Sequence, residues 1–436
     1  MGSITRTIQA ILGDAQVTSW DVLAEPVRQT IQGAIASESS PDCIAYPENP
    51  EQLAEVMTCA HQNQWRIMPC GSGSKLTWGA LVSEVDLVVS TQKLNQVVEH
   101  AEGDLTLTAQ TGASFAQVQA NLIKTRQFLT IDPAYPQRAT LGGIVATRDT
   151  GALRQRYGGI RDMLIGISFV RHDGQMAKAG GRVVKNVAGY DLMKLMSGSF
   201  GTLGVFTQLT FRTYPLPDVS RTVLLVGNAA SIKSVAADVL QSSLTPVAMD
   251  LVSSGLLSKR DADTFGLALQ FQSIEAGVVE QVELLGKIAQ PYDLGSQVLS
   301  DENDTQFWQN INQTLFSADK RTGIAIAKLG ILPAKAVDLM QTLHSTFPVD
   351  TWQARIHAGS GLGTLWLDGD PTFLKGLAAV RSQCQGTGGY LTLLEAPADW
   401  KATIEPWALK ESVSMLMSRL QEQFDPQQRL NPGRWG

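Results

Sequence analysis

Cysteine is scarce in this chain of 436 residues, which contains only Cys43, Cys59, Cys70 and Cys384, none of them two residues apart from another. Iron–sulfur clusters and structural zinc sites need clustered thiolates, so we expect neither on this chain. Free thiols of this kind are typical of a reducing compartment. The five histidines are equally dispersed and form no His-Glu-x-x-His motif, so the sequence indicates no metal site.

Basic runs and long apolar stretches are lacking as well. The formal net charge of −6 argues against nucleic-acid binding, which needs basic surface to displace counterions from phosphate. No run of about 18 apolar residues occurs, so we expect no membrane span. The first residues lack the apolar core of a secretory signal and miss the myristoylation pattern at Arg6. We therefore expect a cytoplasmic protein, or one held at the membrane periphery through partners.

The length and composition predict a globular protein of at least two domains, because 44% of the residues are hydrophobic and one core seldom spans so long a chain. Residues 1–40 are expected to form a helical N-terminal extension, with Ile4, Ile8 and Ile11 at near-helical spacing. The prolines at 215 and 217 mark a boundary. We therefore predict domains at 41–217 and 218–405, followed by a C-terminal helix and tail at 406–436 that return to the first domain.

Local patterns predict the type of fold. Residues 51–61 are expected to form a helix with Leu53, Val56, Met57 and Ala60 on one face. Strands and helices alternate from 322 to 394 in the order β-α-β-β-α-β, which is the ferredoxin-like unit, and a less complete series occupies about 221–290. Two such units sharing one sheet predict an α+β cap domain beside the first domain.

A glycine-rich loop follows a short apolar strand at 66–70. It consists of Gly71, Ser72, Gly73, Ser74 and Lys75. Glycines let backbone N–H groups approach a phosphate closely, and Lys75 would add a cation. The pattern also suits an ordinary loop, and it matches neither the Rossmann fingerprint nor the Walker loop. The loop by itself therefore leaves both interpretations open.

Three further strings indicate a family. The first contains Thr140, Leu141, Gly142, Gly143 and Thr147; the second runs from Gly180 through Lys185, Asn186, Gly189 and Tyr190 to Gly201, Gly204 and Val205; the third contains Asp425, Pro426, Asn431, Pro432 and Gly433. In this order they resemble the FAD-linked oxidases of the vanillyl-alcohol oxidase and p-cresol methylhydroxylase type. They are most similar to the E subunits of glycolate oxidase. The resemblance covers roughly 45–217 and the last dozen residues.

The resemblance implies a two-domain PCMH-type FAD-binding fold and a set of cofactor contacts. It implies that the loop from Pro69 and Cys70 through Lys75 wraps the pyrophosphate. Residues 140–143 and Thr147 would run along the flavin and ribityl chain, and Gly201, Gly204 and Val205 would lie near the rest of the cofactor. Arg161 and Lys185 suit either a flavin contact or a structural charge. Many relatives attach the flavin through a histidine in this loop; none occurs here, so we expect noncovalent FAD, with Cys70 as the alternative attachment point.

Catalytic relatives, as the resemblance implies, carry a His-Ala-Gly-Asp-Gly-Asn-x-His string. Here His357 opens the matching string, but Ser360, Leu362 and Thr364 replace the acid, the amide and the second histidine. Oxidation of a 2-hydroxy acid needs a base and a cation for the carboxylate. His357 is the candidate base, and Arg355 and Arg138 are the candidate cations; packed or structural roles are the alternatives.

Three functions follow as hypotheses. The chain is a subunit of a glycolate oxidase complex that oxidises a small 2-hydroxy acid together with a sibling flavin subunit and an iron–sulfur subunit. Alternatively, it is a noncatalytic flavin-binding or electron-relay subunit of that complex. A stand-alone FAD-dependent dehydrogenase for D-lactate or another alcohol is the third. The intact flavin strings favour a redox role, and the altered string after His357 favours dependence on a partner.

Overall fold

The computed structural model describes residues 2–182, 190–257, 264–316 and 323–435. Its strands are β1 (Val17–Ser19), β2 (Cys43–Ala45), β3 (Ile67–Cys70), β4 (Leu87–Ser90), β5 (Val97–Ala101), β6 (Thr106–Gln110), β7 (Gln127–Phe128), β8 (Leu164–Val170), β9 (Met176–Gly180), β10 (Val205–Arg212), β11 (Tyr214–Pro215), β12 (Val219–Gly227), β13 (Ala248–Val252), β14 (Phe265–Ser273), β15 (Gly295–Ser300), β16 (Ile324–Gly330), β17 (Trp352–His357), β18 (Leu362–Asp368) and β19 (Tyr390–Glu395).

The α-helices alternate with these strands over much of the chain. They are α1 (Ser3–Leu12), α2 (Glu25–Gln32), α3 (Pro50–Gln62), α4 (Phe115–Ile123), α5 (Leu141–Thr147), α6 (Arg154–Tyr157), α7 (Ile160–Met163), α8 (Leu192–Met196), α9 (Ala229–Gln241), α10 (Glu275–Ala289), α11 (Asp301–Leu315), α12 (Ala336–Thr346), α13 (Leu374–Gly386), α14 (Ala398–Thr403) and α15 (Glu411–Phe424).

Two compact units divide the chain. The first contains Met1–Thr150, Gly158–Leu216 and Leu409–Gly436, and the second contains Gly151–Tyr157 and Pro217–Ala408. The sequence places its boundaries after residues 217 and 405. Residues 151–157, which the sequence assigns to the first domain, instead join the second unit, because α6 packs against β13.

The first unit contains two main sheets. One has the order β1-β2-β4-β3, in which β2 and β3 both run parallel to β4. The other has the order β5-β6-β10-β8-β9 and is antiparallel. The predicted helix at 51–61 is confirmed as α3, and its predicted face of Leu53, Val56, Met57 and Ala60 is fully buried. The Asn49 side chain caps α3 by accepting a hydrogen bond from the Gln52 N–H at 2.8 Å, which is why the helix begins there.

Residues 1–40 differ from the helical extension that the sequence predicts. Strand β1 pairs antiparallel with β2 and so extends the first sheet. On α1, Ile8 and Leu12 belong to the same buried cluster as Leu53 of α3. The segment is therefore part of the first unit. Its three-residue strand is too short to show a period-2 pattern, which explains why the sequence did not reveal it.

The second unit confirms the predicted cap fold. Strands β12 to β15 with α9 and α10 form one β-α-β-β-α-β unit, and β16 to β19 with α12 and α13 form another. The two units share a sheet of order β15-β12-β14-β13-β17-β18-β16-β19, joined by antiparallel pairing of β13 with β17. The first series, which appeared less complete in the sequence, has all six elements. One face of this sheet carries the apolar cluster that includes Met249, Leu251 and Ile356.

No helix within the described ranges is both long and apolar enough to cross a membrane.

Candidate functional site

A cleft in the first unit lies where β3 ends. In open sheets with parallel strands, ligands bind beyond the carboxyl ends of those strands, where loops fan out. The cleft is open at its mouth and contains about 710 Å³ of empty space, open solvent included. Its walls come from the end of β3 and the loop after it, helix α5, the segment leading into β10 and the C-terminal tail, together with the residues that follow β4 and β6.

The structure brings nearly all the predicted cofactor residues to this one cleft. Those that line it are Pro69, Cys70, Gly71, Ser72, Gly73, Ser74, Lys75, Thr140, Gly142, Gly143, Thr147, Gly201, Gly204 and Val205. Leu141 is the exception, because its side chain is fully buried on the inner side of α5. Residues that are more than 100 positions apart in sequence therefore share one surface.

Free backbone donors characterise the loop after β3. Within the described part of the chain, the N–H groups of residues 71–75 donate to no protein acceptor. The Ser72 hydroxyl holds the loop by donating to the carbonyl oxygen of Arg138. Gly73 has a φ of +77°, a conformation that favours glycine. A loop with several unused N–H donors suits an anionic ligand that accepts hydrogen bonds.

Two glycines are required by close packing around the cleft. A Cβ on Gly71 would lie 2.3 Å from Oγ1 of Thr140, and one on Gly142 would lie 3.0 Å from the carbonyl oxygen of Thr111. Gly143 differs, because its Cβ would meet only Oγ1 of Thr140, at 3.3 Å. The first two glycines therefore let the walls approach each other, whereas Gly143 leaves open space on the cleft side.

Lys75 lines the cleft, but its charge is paired within the protein. Its Nζ lies 3.1 Å from Oδ2 of Asp149, and both side chains are nearly buried. It also lies 5.5 Å from the centre of the Trp78 ring. The same Asp149 oxygen accepts a hydrogen bond from the N–H of Ala134. The charge of Lys75 is thus paired locally, and the lysine fixes the loop against the segment that follows α5.

The C-terminal tail supplies a second buried cation, which sequence reasoning did not assign to the site. Nη1 of Arg434 donates to the carbonyl oxygens of Leu76, Trp78 and Ala80 at 3.1, 3.0 and 2.7 Å. Burial lowers the pKa of Arg434 to about 10, so the guanidinium stays charged at neutral pH. The side chain of Asn431 donates to the carbonyl oxygen of Phe200, on another wall of the cleft.

Sequence reasoning missed several further wall residues. They are Leu76, Thr91, Thr111, Ala146, Phe200, Phe206, Asn431 and Arg434. Thr91 and Thr111 each follow directly after a strand, β4 and β6, so position at a strand end was a usable signal. Asn431 and Arg434 lie in or beside the terminal string that carries the family resemblance, but nothing in that string indicates what it touches.

Cys70, the alternative attachment point for a flavin, also lines the cleft. Burial raises the pKa of its thiol to about 12, although a hydrogen bond with Ser90 acts in the opposite direction. The thiol is therefore protonated at neutral pH, and a protonated thiol is a poor nucleophile.

Other predicted residues lie away from the cleft. Arg138 is exposed in the first unit, and its carbonyl oxygen accepts a hydrogen bond from Ser72 of the glycine-rich loop. Arg161 is exposed and accepts a hydrogen bond from Lys194 through its backbone. Lys185 lies outside the described residues.

The second unit contains the other two predicted catalytic residues, Arg355 and His357, which lie two positions apart on β17. Arg355 and His357 are 4% exposed each. They alternate with Ala354 and Ile356, which belong to the apolar cluster, so their side chains point to the opposite face of the sheet. Nδ1 of His357 lies 2.6 Å from Oδ1 of Asp250, its partner across the β13–β17 pair. Sequence reasoning missed Asp250.

The string after His357 forms the turn between β17 and β18, in which Ser360 is exposed and the Gly361 N–H donates to the His357 carbonyl oxygen. In the part of the chain that the structure describes, no three His, Cys, Asp or Glu side chains converge so as to hold a metal ion.

Comparison with known proteins agrees with this geometry. Residues 41–180 match the family described as FAD binding domain. The chain is 30% identical over 264 residues to glycolate oxidase subunit GlcE of Escherichia coli, covering 60% of this chain and 68% of that protein. It is 29% identical over 252 residues to glycolate oxidase subunit GlcD of Bacillus subtilis, covering 56% of this chain and 54% of that one. The chain thus spans little more than half of GlcD.

The fold is shared with p-cresol methylhydroxylase, whose crystal structure superposes with a TM-score of 0.77 at 15% identity, covering 99% of this chain and 96% of that one. The expected PCMH-type fold is thereby confirmed. Together with the match to GlcE, the cleft and the two-unit architecture lead to one conclusion. The chain belongs to the family of FAD-linked oxidoreductases that contains the glycolate oxidase subunits GlcD and GlcE.

Proposed function

We propose that this chain binds FAD noncovalently in the cleft of the first unit and takes part in oxidising a small 2-hydroxy acid such as glycolate. The observation that carries the proposal is the loop after β3, whose N–H groups at residues 71–75 donate to no acceptor within the described chain although they line a cleft. Backbone amides of this kind are suited to a pyrophosphate. The relatives named glycolate oxidase subunits support the choice of substrate class.

The donors and the exposed backbone of the cleft suit FAD. The loop at 71–75 would hold the pyrophosphate, with the charge of Arg434 nearby. Gly142, Gly143 and Thr147 would lie along the flavin and ribityl chain, because a flat ring needs backbone at close range and Gly143 leaves that side open. Gly201, Gly204 and Val205 would contact the remainder. Bound FAD supplies the two-electron oxidant.

Noncovalent attachment is supported by the state of Cys70. A covalent bond to the flavin would need the thiolate as nucleophile. Because burial raises the pKa of this thiol to about 12, the thiolate is rare at neutral pH.

The substrate side of the proposal uses the second unit. His357 is the proposed proton acceptor for the substrate hydroxyl, and Arg355 is the proposed partner of the carboxylate. The Nε of Arg355 is buried with no hydrogen-bond partner among the described residues. A buried N–H group without an acceptor is costly, so an anion that accepts a hydrogen bond from this nitrogen would be stabilising. Arg138, the second predicted cation, is exposed in the first unit, which makes Arg355 the better candidate.

The chain would act as one subunit of a complex, in the cytoplasm or at the membrane periphery. Its relatives GlcD and GlcE are themselves named as subunits. A sibling flavin subunit and an iron–sulfur subunit are the proposed partners. A noncatalytic, electron-relay role is the second candidate, favoured by Ser360, Leu362 and Thr364, which depart from the string of the catalytic relatives.

Anaerobic titration tests these proposals. The purified chain is reconstituted with FAD and mixed with glycolate or with D-lactate. The visible absorbance of the flavin is followed. Bleaching by the lone chain supports a catalytic subunit, and bleaching only after addition of partner subunits supports the relay role. Acid precipitation should release the flavin into the supernatant. A protein that folds but does not bind FAD would refute the proposal, and flavin that stays with the precipitate would refute noncovalent attachment.

A further inference from the structure

The junction between the two β-α-β-β-α-β units contains a buried carboxylate–imidazole pair. Asp250 on β13 and His357 on β17 lie directly opposite each other in the antiparallel pairing. Their side chains are 0% and 5% exposed, and Oδ1 lies 2.6 Å from Nδ1. Both point away from the apolar face, because their neighbours Leu251 and Ile356 belong to the apolar cluster. Neither residue type is needed to pack a sheet, so the pair calls for another explanation.

We propose that Asp250 is a positioning residue for His357 in the reaction proposed above. An ionised carboxylate can only accept, so a hydrogen bond between Oδ1 and Nδ1 places the ring proton on Nδ1. The neutral ring then has its lone pair on Nε2. His357 therefore takes a proton through Nε2 and through no other atom. This inference rests on the proposed function for its substrate, but not for the tautomer.

The carboxylate of the pair also stabilises the protonated imidazole ring. When Nε2 accepts the substrate hydroxyl proton, the O–H bond breaks, an N–H bond forms, and the ring becomes an imidazolium. The carboxylate of Asp250, which is fully buried, faces that positive charge at hydrogen-bond distance. Its second oxygen, Oδ2, has no hydrogen-bond partner among the described residues. Its interaction with the ring is thus not divided among other donors, which strengthens it in a poorly solvated position.

Arg355 selects an anionic substrate whose hydroxyl group lies close to its carboxylate. It precedes His357 by two residues on β17 and shares its face of the sheet, so the two backbone positions are about 7 Å apart. The long guanidinium side chain and the shorter imidazole can converge over that distance. A 2-hydroxy monocarboxylate, which carries its hydroxyl on the carbon next to the carboxylate, fits this spacing.

Asp304 offers a matched control for removing a buried carboxylate from this unit. It lies on α11, is 2% exposed, and accepts hydrogen bonds from Thr222 and Gln270. It makes no hydrogen bond to a histidine within the described residues. Asp250→Asn and Asp304→Asn therefore impose the same chemical change in the same sheet domain, and only the first affects His357.

The experiment has two independent readouts on FAD-loaded full-length protein. Histidine-selective ¹⁵N NMR, with His357 assigned by comparison with His357→Gln, reports the tautomer of the wild-type ring and needs no carboxylate variant. We expect the proton on Nδ1. Anaerobic rapid mixing with glycolate then reports the rate of flavin reduction as a function of substrate concentration and pH.

We expect Asp250→Asn to lower the limiting reduction rate by roughly 10²- to 10⁴-fold, the range for a misoriented general base. For Asp250→Asn, the substrate concentration at half-maximal rate and the FAD content should stay within about threefold of the wild type, and the pH profile of the reduction rate should change. Asp304→Asn should keep the wild-type reduction rate and pH profile. Equal rates for the two variants, or a wild-type ring protonated on Nε2, would overturn the role of Asp250. If the wild type is not reduced by any 2-hydroxy acid, with or without partner subunits, the proposed function fails, while the NMR result still decides the tautomer.

Discussion

Arg434 offers the sharpest test of how the cleft is held together, because one guanidinium nitrogen joins the C-terminal tail to three carbonyl groups of the loop that follows β3. The side chain is 3% exposed. Nearby, the N–H of Asn431 donates to the Ile67 carbonyl oxygen, and the N–H of Ser83 donates to that of Pro432. The tail therefore fixes both ends of the segment that carries residues 71–80. We propose to replace Arg434 with methionine, which keeps the length and removes every donor.

The magnitude follows from two opposing contributions. Nη1 has two hydrogens for three carbonyl oxygens, so it makes the equivalent of two charged hydrogen bonds, each contributing about 1.5–3 kcal/mol. Burial of the guanidinium lowers its pKa from 12.5 to about 10, which corresponds to a cost of roughly 3 kcal/mol. Methionine loses the first contribution and avoids the second. The difference is about 0–3 kcal/mol, and the carbonyl oxygens left without a donor add to the loss, so we expect a net loss of about 1–3 kcal/mol.

This loss should appear mainly as weaker FAD binding, because FAD needs the ordered loop and the loop is less ordered in the apo variant. A loss of about 1.4–2.8 kcal/mol raises the FAD dissociation constant about tenfold to a hundredfold. Fluorescence titration of the apoprotein with FAD measures it. Arg419→Met is the matched control, since Arg419 is exposed on α15 in the same C-terminal segment; we expect no change in affinity.

Arg434→Lys separates charge from hydrogen-bond geometry. Lysine keeps the positive charge, but its single terminal nitrogen cannot reproduce the planar hydrogen-bonding geometry of the guanidinium. It should therefore recover only part of the FAD affinity. Full recovery by lysine would show that charge alone matters. An unchanged dissociation constant for Arg434→Met would refute the reasoning, because the loop would then be ordered without the tail.

Two further predictions concern the first unit. Gly142→Ala should lower the free energy of unfolding of the apoprotein by about 1–3 kcal/mol, because its Cβ would lie 2.9 Å from Cβ of Thr111. Gly143→Ala should leave the free energy of unfolding unchanged and weaken FAD binding. Urea unfolding and FAD titration of both variants check this, and the opposite pattern would contradict it. Burial raises the pKa of Asp86, but hydrogen bonds from Arg66 outweigh it and hold that pKa below 3.8. The stabilisation is therefore present above that value and is lost as the pH falls through the folded-state pKa. Asp86→Asn should cost about 1 kcal/mol at pH 7 and progressively less as the pH falls below 3.8, as measured by urea unfolding across that range.

Local sequence patterns were sufficient wherever the determining contacts are local. Helix α3 follows from the spacing of its buried residues and from Asn49, which caps its first turn. The cap fold follows from the order of its strands and helices, each of which is recognisable from its own residues. The glycines of the cleft were assigned through the family resemblance of the strings that contain them, because a glycine by itself does not show whether it serves a turn or a cofactor.

Long-range pairings could not be found in this way. The pairing of Asp250 with His357 depends on the register of β13 against β17, and nothing near either residue specifies it. The same holds for Arg434, which contacts a loop more than 350 positions earlier in the chain. The pairing of Lys75 with Asp149 likewise joins residues that are remote in sequence.

The sequence by itself determined the family and the order of strands and helices in the second unit, because these depend on residue type and order. Tertiary structure alone decided which charges are paired, which backbone donors remain unused, and which carboxylate faces His357. The physical reason is that hydrogen bonds and ion pairs act over a few ångströms in space. Only the packing of distant strands and of the C-terminal tail brings those groups within that range.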